Sequence, residues 1–234
     1  MPPRTRGPYN TEPVDDYLKA MLELSGAEEE PATSNALARH LGVRAASVTG
    51  MLQKLAAQKP PLVKYEKHHG ARLTATGKKR ALEILRHHRL LERFLHDFLD
   101  YSWDEVHDEA ERLEHFISER FEDRIAAKLG DPETDPHGHP IPERSGAFPA
   151  REEVLLSKCA CGVPAVISSV SDRDPDALRE MTRLGLKPGV AITVETGTRN
   201  ASLRVRVGDH KDSVRLSQAL ASGISVIAGP IGWP

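Results

Sequence analysis

The 234-residue chain is expected to be an α+β multi-domain protein: an N-terminal winged helix-turn-helix, a helical middle domain and a small C-terminal β-barrel. Three observations predict this. Two short amphipathic segments flank Gly42 and are followed by a strand-like pair around His69-Gly70. From Thr76 to Leu129 apolar residues recur at helical spacing, and beyond about residue 150 the pattern changes to short alternating runs. A chain of this length has room for two or three cores.

Taken in order, PVDDYLKAMLELS at 13–25 places Val14, Leu18, Met21, Leu22 and Leu24 largely along one stripe, with Asp15, Asp16 and Lys19 elsewhere, which predicts a first amphipathic helix. Thr33 or Ser34 can cap a short helix through Leu41. Gly42 then breaks it, and a second helix runs from about Ala45 to Gln58 with Val48, Leu52 and Leu55 inward. Helix, Gly-containing turn and helix make a helix-turn-helix. After Pro60-Pro61, LVKYEKHHGARLT reads as a β-hairpin, placed where a wing belongs.

Thr76 opens a long helix whose stripe of Leu82, Leu85, Leu90, Leu91, Phe94, Leu95 and Phe98 needs a partner. Helices from Trp103 to Ile117 and from Ser118 to Leu129 cover part of it, and the surplus points to a dimer interface. The segment DPETDPHGHPIPERSGAFP lacks apolar periodicity and reads as a linker or tether, with His137 and His139 as loop residues. AVISSV, VAITVE, LRVRVG, SVRLS and ISVIA are then five short strands, interrupted by one helix from Pro175 to Arg183. The expected domains are 1–76, 77–142 and 151–234, with 143–150 as linker.

Charge separates two tasks that the overall balance hides. The chain has 32 Lys+Arg against 34 Asp+Glu, yet residues 31–80 hold ten basic side chains and one acid, Glu66. Residues 101–130 hold nine acids and four bases. The basic segment coincides with the helix-turn-helix and wing, where phosphate contacts would be made. No apolar run has membrane-spanning length and no signal-peptide core is present, so a cytoplasmic protein without a membrane partner is expected. Cys159 and Cys161 form a lone C-x-C, weak as a zinc signal.

The stretch HDEAERLEH at 107–115 carries two imidazoles and four carboxylates in nine residues. On one continuous helix His107, Glu111, Glu114 and His115 share a face, and His88 and Glu92 stand at i, i+4 on the helix before it. Facing helices that each project imidazole and carboxylate are how helical bundles build divalent-metal sites. A solvated acidic face explains any single pair as well, but not the whole set together with Asp16.

These residues resemble the diphtheria toxin repressor, iron-dependent regulator and manganese transport regulator family of metal-dependent repressors. The resemblance covers nearly the full length. It rests on DDYLKAMLEL (15–24), SVTGMLQKL (47–55), LTATGKK (73–79), HHRLLERFL (87–95), VHDEAERLEH (106–115) and GHPIP (138–142), in family order and spacing. It implies a winged helix-turn-helix, a helical dimerisation and metal-binding domain, and an SH3-like, FeoA-type barrel. By resemblance Asp16, Glu111, Glu114 and His115 form a primary metal site, and His88, Glu92 and His107 an ancillary one completed from the barrel. Asp174 is the preferred barrel ligand, with Asp172 and Asp176 as alternatives. Two sites per subunit are expected. His87 is expected to point away from the ancillary site.

Iron-responsive members carry sulfur ligands where this chain has Asp16 and Glu111. The all-oxygen-and-nitrogen primary set therefore favours Mn(II), with Fe(II) as the alternative. Manganese-type members have Glu one turn after the Asp where this chain has Lys19, which argues for two separated sites over a close binuclear pair. The resemblance places DNA contacts at Arg44, Ala46, Ser47, Thr49 and Gly50 of the recognition helix, and the wing offers Lys64, Lys67, His69 and Arg72. His68 is a further wing candidate. The reading is a homodimeric, Mn(II)-responsive repressor of metal-uptake genes that binds a palindromic double-stranded operator and takes no small-molecule substrate. An Fe(II)-responsive regulator is the alternative; a di-metal enzyme and a peptide-recruiting barrel are weaker ones, the first for want of an identifiable nucleophile, base or substrate pocket.

Overall fold

The computed structural model describes residues 12–25, 30–147, 151–197, 202–208 and 213–228. The first eleven residues and part of the expected linker, 148–150, lie outside the described residues. By compactness the chain divides into two units. The first comprises Met1–His87, Glu114–Phe116 and Pro142–Ala147, and the second His88–Leu113, Ile117–Ile141 and Phe148–Pro234.

In the first unit α1 (Glu12–Ser25), α2 (Ser34–His40) and α3 (Ala45–Ala56) surround a core containing Leu18, Met21, Leu37, Val48, Leu52 and Leu55. Thr33 caps α2 by accepting from the Ala36 amide at 3.2 Å. The turn between α2 and α3 uses Gly42 at φ +65°, a conformation that costs other residues a steric penalty. The wing is β1 (Val63–Glu66) paired antiparallel with β2 (Gly70–Leu73), in the register Val63 to Leu73.

The long helix α4 (Ala75–Leu99) starts in this unit. The Thr74 hydroxyl donates to the Pro61 carbonyl at 2.7 Å and accepts from the Gly77 amide at 3.1 Å, so the cap is two residues earlier than the Thr76 start expected from the sequence. Gly77 is required because a Cβ there would stand 2.0 Å from the Leu62 carbonyl oxygen.

In the second unit the end of α4 packs with α5 (Val106–Leu113) and α6 (Glu119–Leu129) over Leu90, Leu91, Leu95, Val106, Ala110 and Ile125. The Ser118 side chain caps α6 and Gly130, at φ +73°, closes it. The barrel sheet is antiparallel, in the order β3 (Val154–Leu155), β8 (Ile224–Ala228), β4 (Pro164–Val170), β5 (Ala191–Gly197), β6 (Leu203–Val207), β7 (Ser213–Leu216). The five strands read from alternation are all present; β3 is additional, too short for a period to register. The expected helix is α7 (Pro175–Arg183), and α8 (Gln218–Ser222) precedes the last strand.

Two expectations are corrected here. The helix read as Trp103 to Ile117 stops at Leu113, and Glu114–Phe116 form a turn that belongs to the first unit. In that turn the Glu114 carboxylate and the His115 imidazole are held by α1, which a continuous helical face would not allow. The 131–147 segment, read as a tether, is packed over much of its length. Asp135 and Gly138 are buried and His137 is fully enclosed. A Cβ at Gly138, φ +87°, would stand 2.1 Å from the Ser168 carbonyl, so glycine permits the close approach to β4. Polar composition hid this packing because the segment is held by hydrogen bonds instead of apolar periodicity.

Candidate metal centre and nucleic-acid interface

Helix α1 brings Asp15, Asp16 and Lys19 to the turn after α5. His115 Nε2 lies 3.0 Å from Asp16 Oδ1 and 3.5 Å from Glu114 Oε1, and donor atoms of the three residues lie within 4.8 Å of one another. Glu114 has no solvent exposure, whereas the Asp16 side chain is 42% exposed. His87, on α4, donates from Nδ1 to the Glu114 backbone carbonyl at 3.1 Å and so fixes the turn. Asp15 is buried and held by Arg80 at 2.6 Å. Neither positioning role was legible from spacing. Glu111 falls in the other unit, exposed, with His107 Nε2 at 3.9 Å.

The ancillary set comes together within the second unit. His88 Nε2 is 3.0 Å from Glu92 Oε1 and 3.1 Å from His107 Nδ1, which is itself 3.3 Å from the same Glu92 oxygen. The barrel ligand expectation is corrected: Asp174 caps α7, accepting from the Asp176 and Ala177 amides at 3.0 and 3.3 Å, so its carboxylate is committed there. The sequence signal was present, since Asp followed by Pro at the first helical position is a capping pattern. Asp172, one of the two alternatives, lies beside the histidines, with Oδ2 3.6 Å from His107 Nδ1.

A third cluster is Asp135, His137 and His139, whose donor atoms lie within 4.8 Å of one another in the segment read as a tether. Asp135 Oδ1 accepts from the backbone amides of His137 and His139 at 2.8 and 3.0 Å, which turns both imidazoles inward. His137 Nε2 donates to the Trp103 carbonyl at 2.7 Å, aiming Nδ1 at Glu92 Oε2 across 3.8 Å. That gap is too long for a hydrogen bond, and both buried atoms have no hydrogen-bond partner among the described residues. Two buried, facing donor atoms suit a cation, and the carbonyl-anchored imidazole is the usual support of a metal-ligating histidine. The donors present therefore fit a divalent metal ion.

Electrostatics agree with the geometry. Burial alone would push the His115 imidazolium down, but Asp15, Asp16 and Glu114 outweigh it and raise its pKa to about 9. Burial is likewise overcome at His137, where Glu92, Asp135 and Asp172 raise it to about 9. Glu92 would be raised by burial, but His88, His107 and His137 hold it well below the usual carboxylate range. The two imidazoles, ordinarily near 6.5, contribute stability that is complete below that pH and lost as pH rises through about 9. The Glu92 contribution is present above ordinary carboxylate pH and lost in acid. With chelator present, thermal stability is thus expected to fall between pH 6.5 and 9, and a melt that improves over that range would contradict the assignment. Divalent ions need the deprotonated imidazoles, so metal uptake is expected to release protons in the same window.

In the first unit, Arg44 precedes α3, and Ala46, Ser47 and Gly50 on its surface are exposed. Thr49 is half-buried and its hydroxyl donates to the Ala45 carbonyl at 3.2 Å, which leaves it less suited to a phosphate. Lys64, Lys67, His68, His69 and Arg72 are all exposed on the wing, with Lys64 directly opposite Arg72. The stripe on α4 is mostly buried within the chain, but Phe98 and Phe121 remain exposed beside half-buried Phe94. No helix among the described residues is long and apolar enough to cross a membrane.

Comparison with known proteins agrees with this architecture. Residues 10–71 match the model of the iron dependent repressor N-terminal DNA binding domain, 74–143 the iron dependent repressor metal binding and dimerisation domain, and 154–228 the FeoA domain. The chain is 30% identical over 222 residues to the iron-dependent repressor IdeR of Mycobacterium leprae, covering 90% of this chain and 94% of that one. A solved manganese-dependent transcriptional repressor in complex with manganese shares 35% identity at a TM-score of 0.86, over 92% of this chain and 99% of that chain. ScaR with bound zinc shares 30% at 0.78, over 92% and 99%. Members of this family are DNA-binding transcriptional repressors and not enzymes, which sets the di-metal enzyme reading aside. With a winged helix-turn-helix, imidazole-carboxylate clusters and a FeoA-type barrel in one chain, this protein belongs to the iron-dependent, or diphtheria toxin repressor, family of metal-dependent transcriptional repressors.

Proposed function

We propose that the chain is a Mn(II)-responsive, homodimeric repressor of metal-uptake genes that binds a palindromic operator. The observation that carries the choice of metal is the donor set: Asp16, Glu114 and His115 offer only oxygen and nitrogen, joined on the resemblance by Glu111. Hard donors without sulfur suit Mn(II), although Fe(II) stands next to it in intrinsic affinity. The likeness to a manganese-dependent repressor supports the same choice, while 30% identity to an iron-dependent one keeps Fe(II) as the second reading.

Asp16 ties the α1 helix of the DNA-binding fold to the turn that carries Glu114 and His115. A bound divalent ion supplies positive charge that holds these donors together. Loading then selects the arrangement in which a dimer's two α3 helices meet successive major grooves, so metal and operator raise each other's affinity. His88, Glu92, His107 and Asp172, supported by His137, form the second site of the pair. The test is fluorescence anisotropy on the DNA upstream of the protein's own gene at one fixed salt concentration, for metal-free, Mn(II) and anaerobic Fe(II) protein. Equal affinity in all three states would remove the basis of the switch, and tighter binding with Fe(II) would reverse the metal.

At the interface, Arg44→Ala is expected to cost roughly 1–3 kcal/mol of operator affinity and relax sequence preference. Lys64→Ala should instead weaken all sequences alike and reduce the slope of log affinity against log salt by about 1. A wing lysine whose loss leaves that slope unchanged makes no phosphate contact. For the dimer, Phe121→Asp places a charge on the exposed aromatic face and is expected to cost roughly 2 kcal/mol or more of association, read by sedimentation. An unchanged dimer would move the interface elsewhere.

A further inference from the structure

Lys19 is the side chain that the proposed function leaves unused. It stands three residues after Asp16 on α1, so it projects from the same side of the helix toward the same donors. Its side chain is only 9% exposed, and its ammonium lies 2.7 Å from Glu114 Oε1 and 2.9 Å from Oε2. Both oxygens of the buried carboxylate are thereby engaged by one cation. Glu114 Oε1 is also the atom 3.5 Å from His115 Nε2, inside the cluster whose third member is Asp16. The ammonium and an incoming divalent ion therefore require the same oxygen.

We propose that Lys19 is a resident counter-cation of the primary site: it neutralises Glu114 while the site is empty, and a divalent ion must take an oxygen from it to bind. Two consequences follow from electrostatics. A buried carboxylate without a cation is costly, so Lys19 stabilises the metal-free protein. The same pair raises the metal concentration needed for loading, because each ion bound must break a charge-assisted contact. Lys19 thus acts as a positioning residue that sets the threshold of the sensor and does not itself ligate. This inference rests on Glu114 being a metal donor, as the proposed function holds.

The experiment is metal affinity of the full chain, measured by competition with a fluorescent chelator using Mn(II) alone at pH 7, alongside the melting temperature in excess chelator. Lys19→Met is expected to bind Mn(II) at least about tenfold tighter while melting lower without metal. Lys19→Arg keeps the charge and offers a planar two-pronged donor, so it should fold like the wild type and bind Mn(II) equally or more weakly. Unchanged or weaker affinity in Lys19→Met overturns the proposal, since a lysine that merely orients Glu114 for ligation would give that result. If Lys19→Met does not fold, Lys19→Arg decides: tighter Mn(II) binding in that variant overturns it. Wild-type and Glu114→Gln proteins with the same Mn(II) affinity would instead defeat the reading of the primary site itself.

Discussion

Asp16→Asn is expected to lose metal-activated operator binding by roughly 100-fold while leaving the metal-free protein folded with nearly its original melting temperature. The asymmetry follows from burial. The Asp16 carboxylate is 42% exposed, so its replacement leaves no enclosed charge behind, and its contact at 3.0 Å is with His115, a co-ligand in the proposed site. Glu114→Gln would behave differently. Its carboxylate is fully enclosed and paired with the buried Lys19 ammonium, and breaking such a pair from one side costs about 3–5 kcal/mol because the other charge stays behind. Both variants should therefore lose the switch, but only the second should lose stability in chelator. Anisotropy with and without Mn(II), paired with thermal melts, separates them. Retained metal activation in Asp16→Asn would remove α1 from the metal-sensing machinery.

Trp103→Ala should produce the largest loss of stability in the second unit, about 3–5 kcal/mol. Trp103 lies just before α5 yet its indole joins the barrel core with Leu178, Met181 and Leu186. Its Nε1 donates to the Thr182 hydroxyl at 2.8 Å, and the Lys187 ammonium sits over the ring, 5.6 Å from its centroid. The neighbouring Asp104 is held by Arg179 at 2.8 Å. Truncation would open a cavity and release this junction between the helices and the barrel. Because the Trp103 carbonyl anchors His137, Mn(II) binding at the ancillary site should weaken together with stability. Trp103→Phe fills much of the volume and loses only the hydrogen bond, so about 1 kcal/mol is expected. Denaturant melts followed by far-ultraviolet circular dichroism provide the measurement. A loss below about 1 kcal/mol for Trp103→Ala would show that the indole does not carry the junction.

Much of this molecule is written in local pattern. Thr33, Gly42 and the apolar spacing of Val48, Leu52 and Leu55 determine a helix-turn-helix, because caps, turns and helical stripes depend on residues a few positions apart. Alternation in Leu203, Val205 and Val207 determines a barrel strand for the same reason. His88 and Glu92 share a helical face by their spacing, and His107 of the HDEAERLEH stretch meets them.

Tertiary structure decided what local period cannot encode. Glu114 and His115 leave the helix because partners 95 and more residues away, on α1, hold them. Asp172 and not Asp174 faces the ancillary histidines because the capping of α7 takes the latter's carboxylate. His137 becomes a buried donor, with half-buried His139 beside it, because Asp135 folds their backbone inward and Gly138 lets it approach β4. Lys19, read only as a departure from the manganese-type members, holds the Glu114 carboxylate. In each case the deciding contact joins groups distant in sequence, and its strength comes from burial, which removes competing water and leaves charged groups dependent on one another.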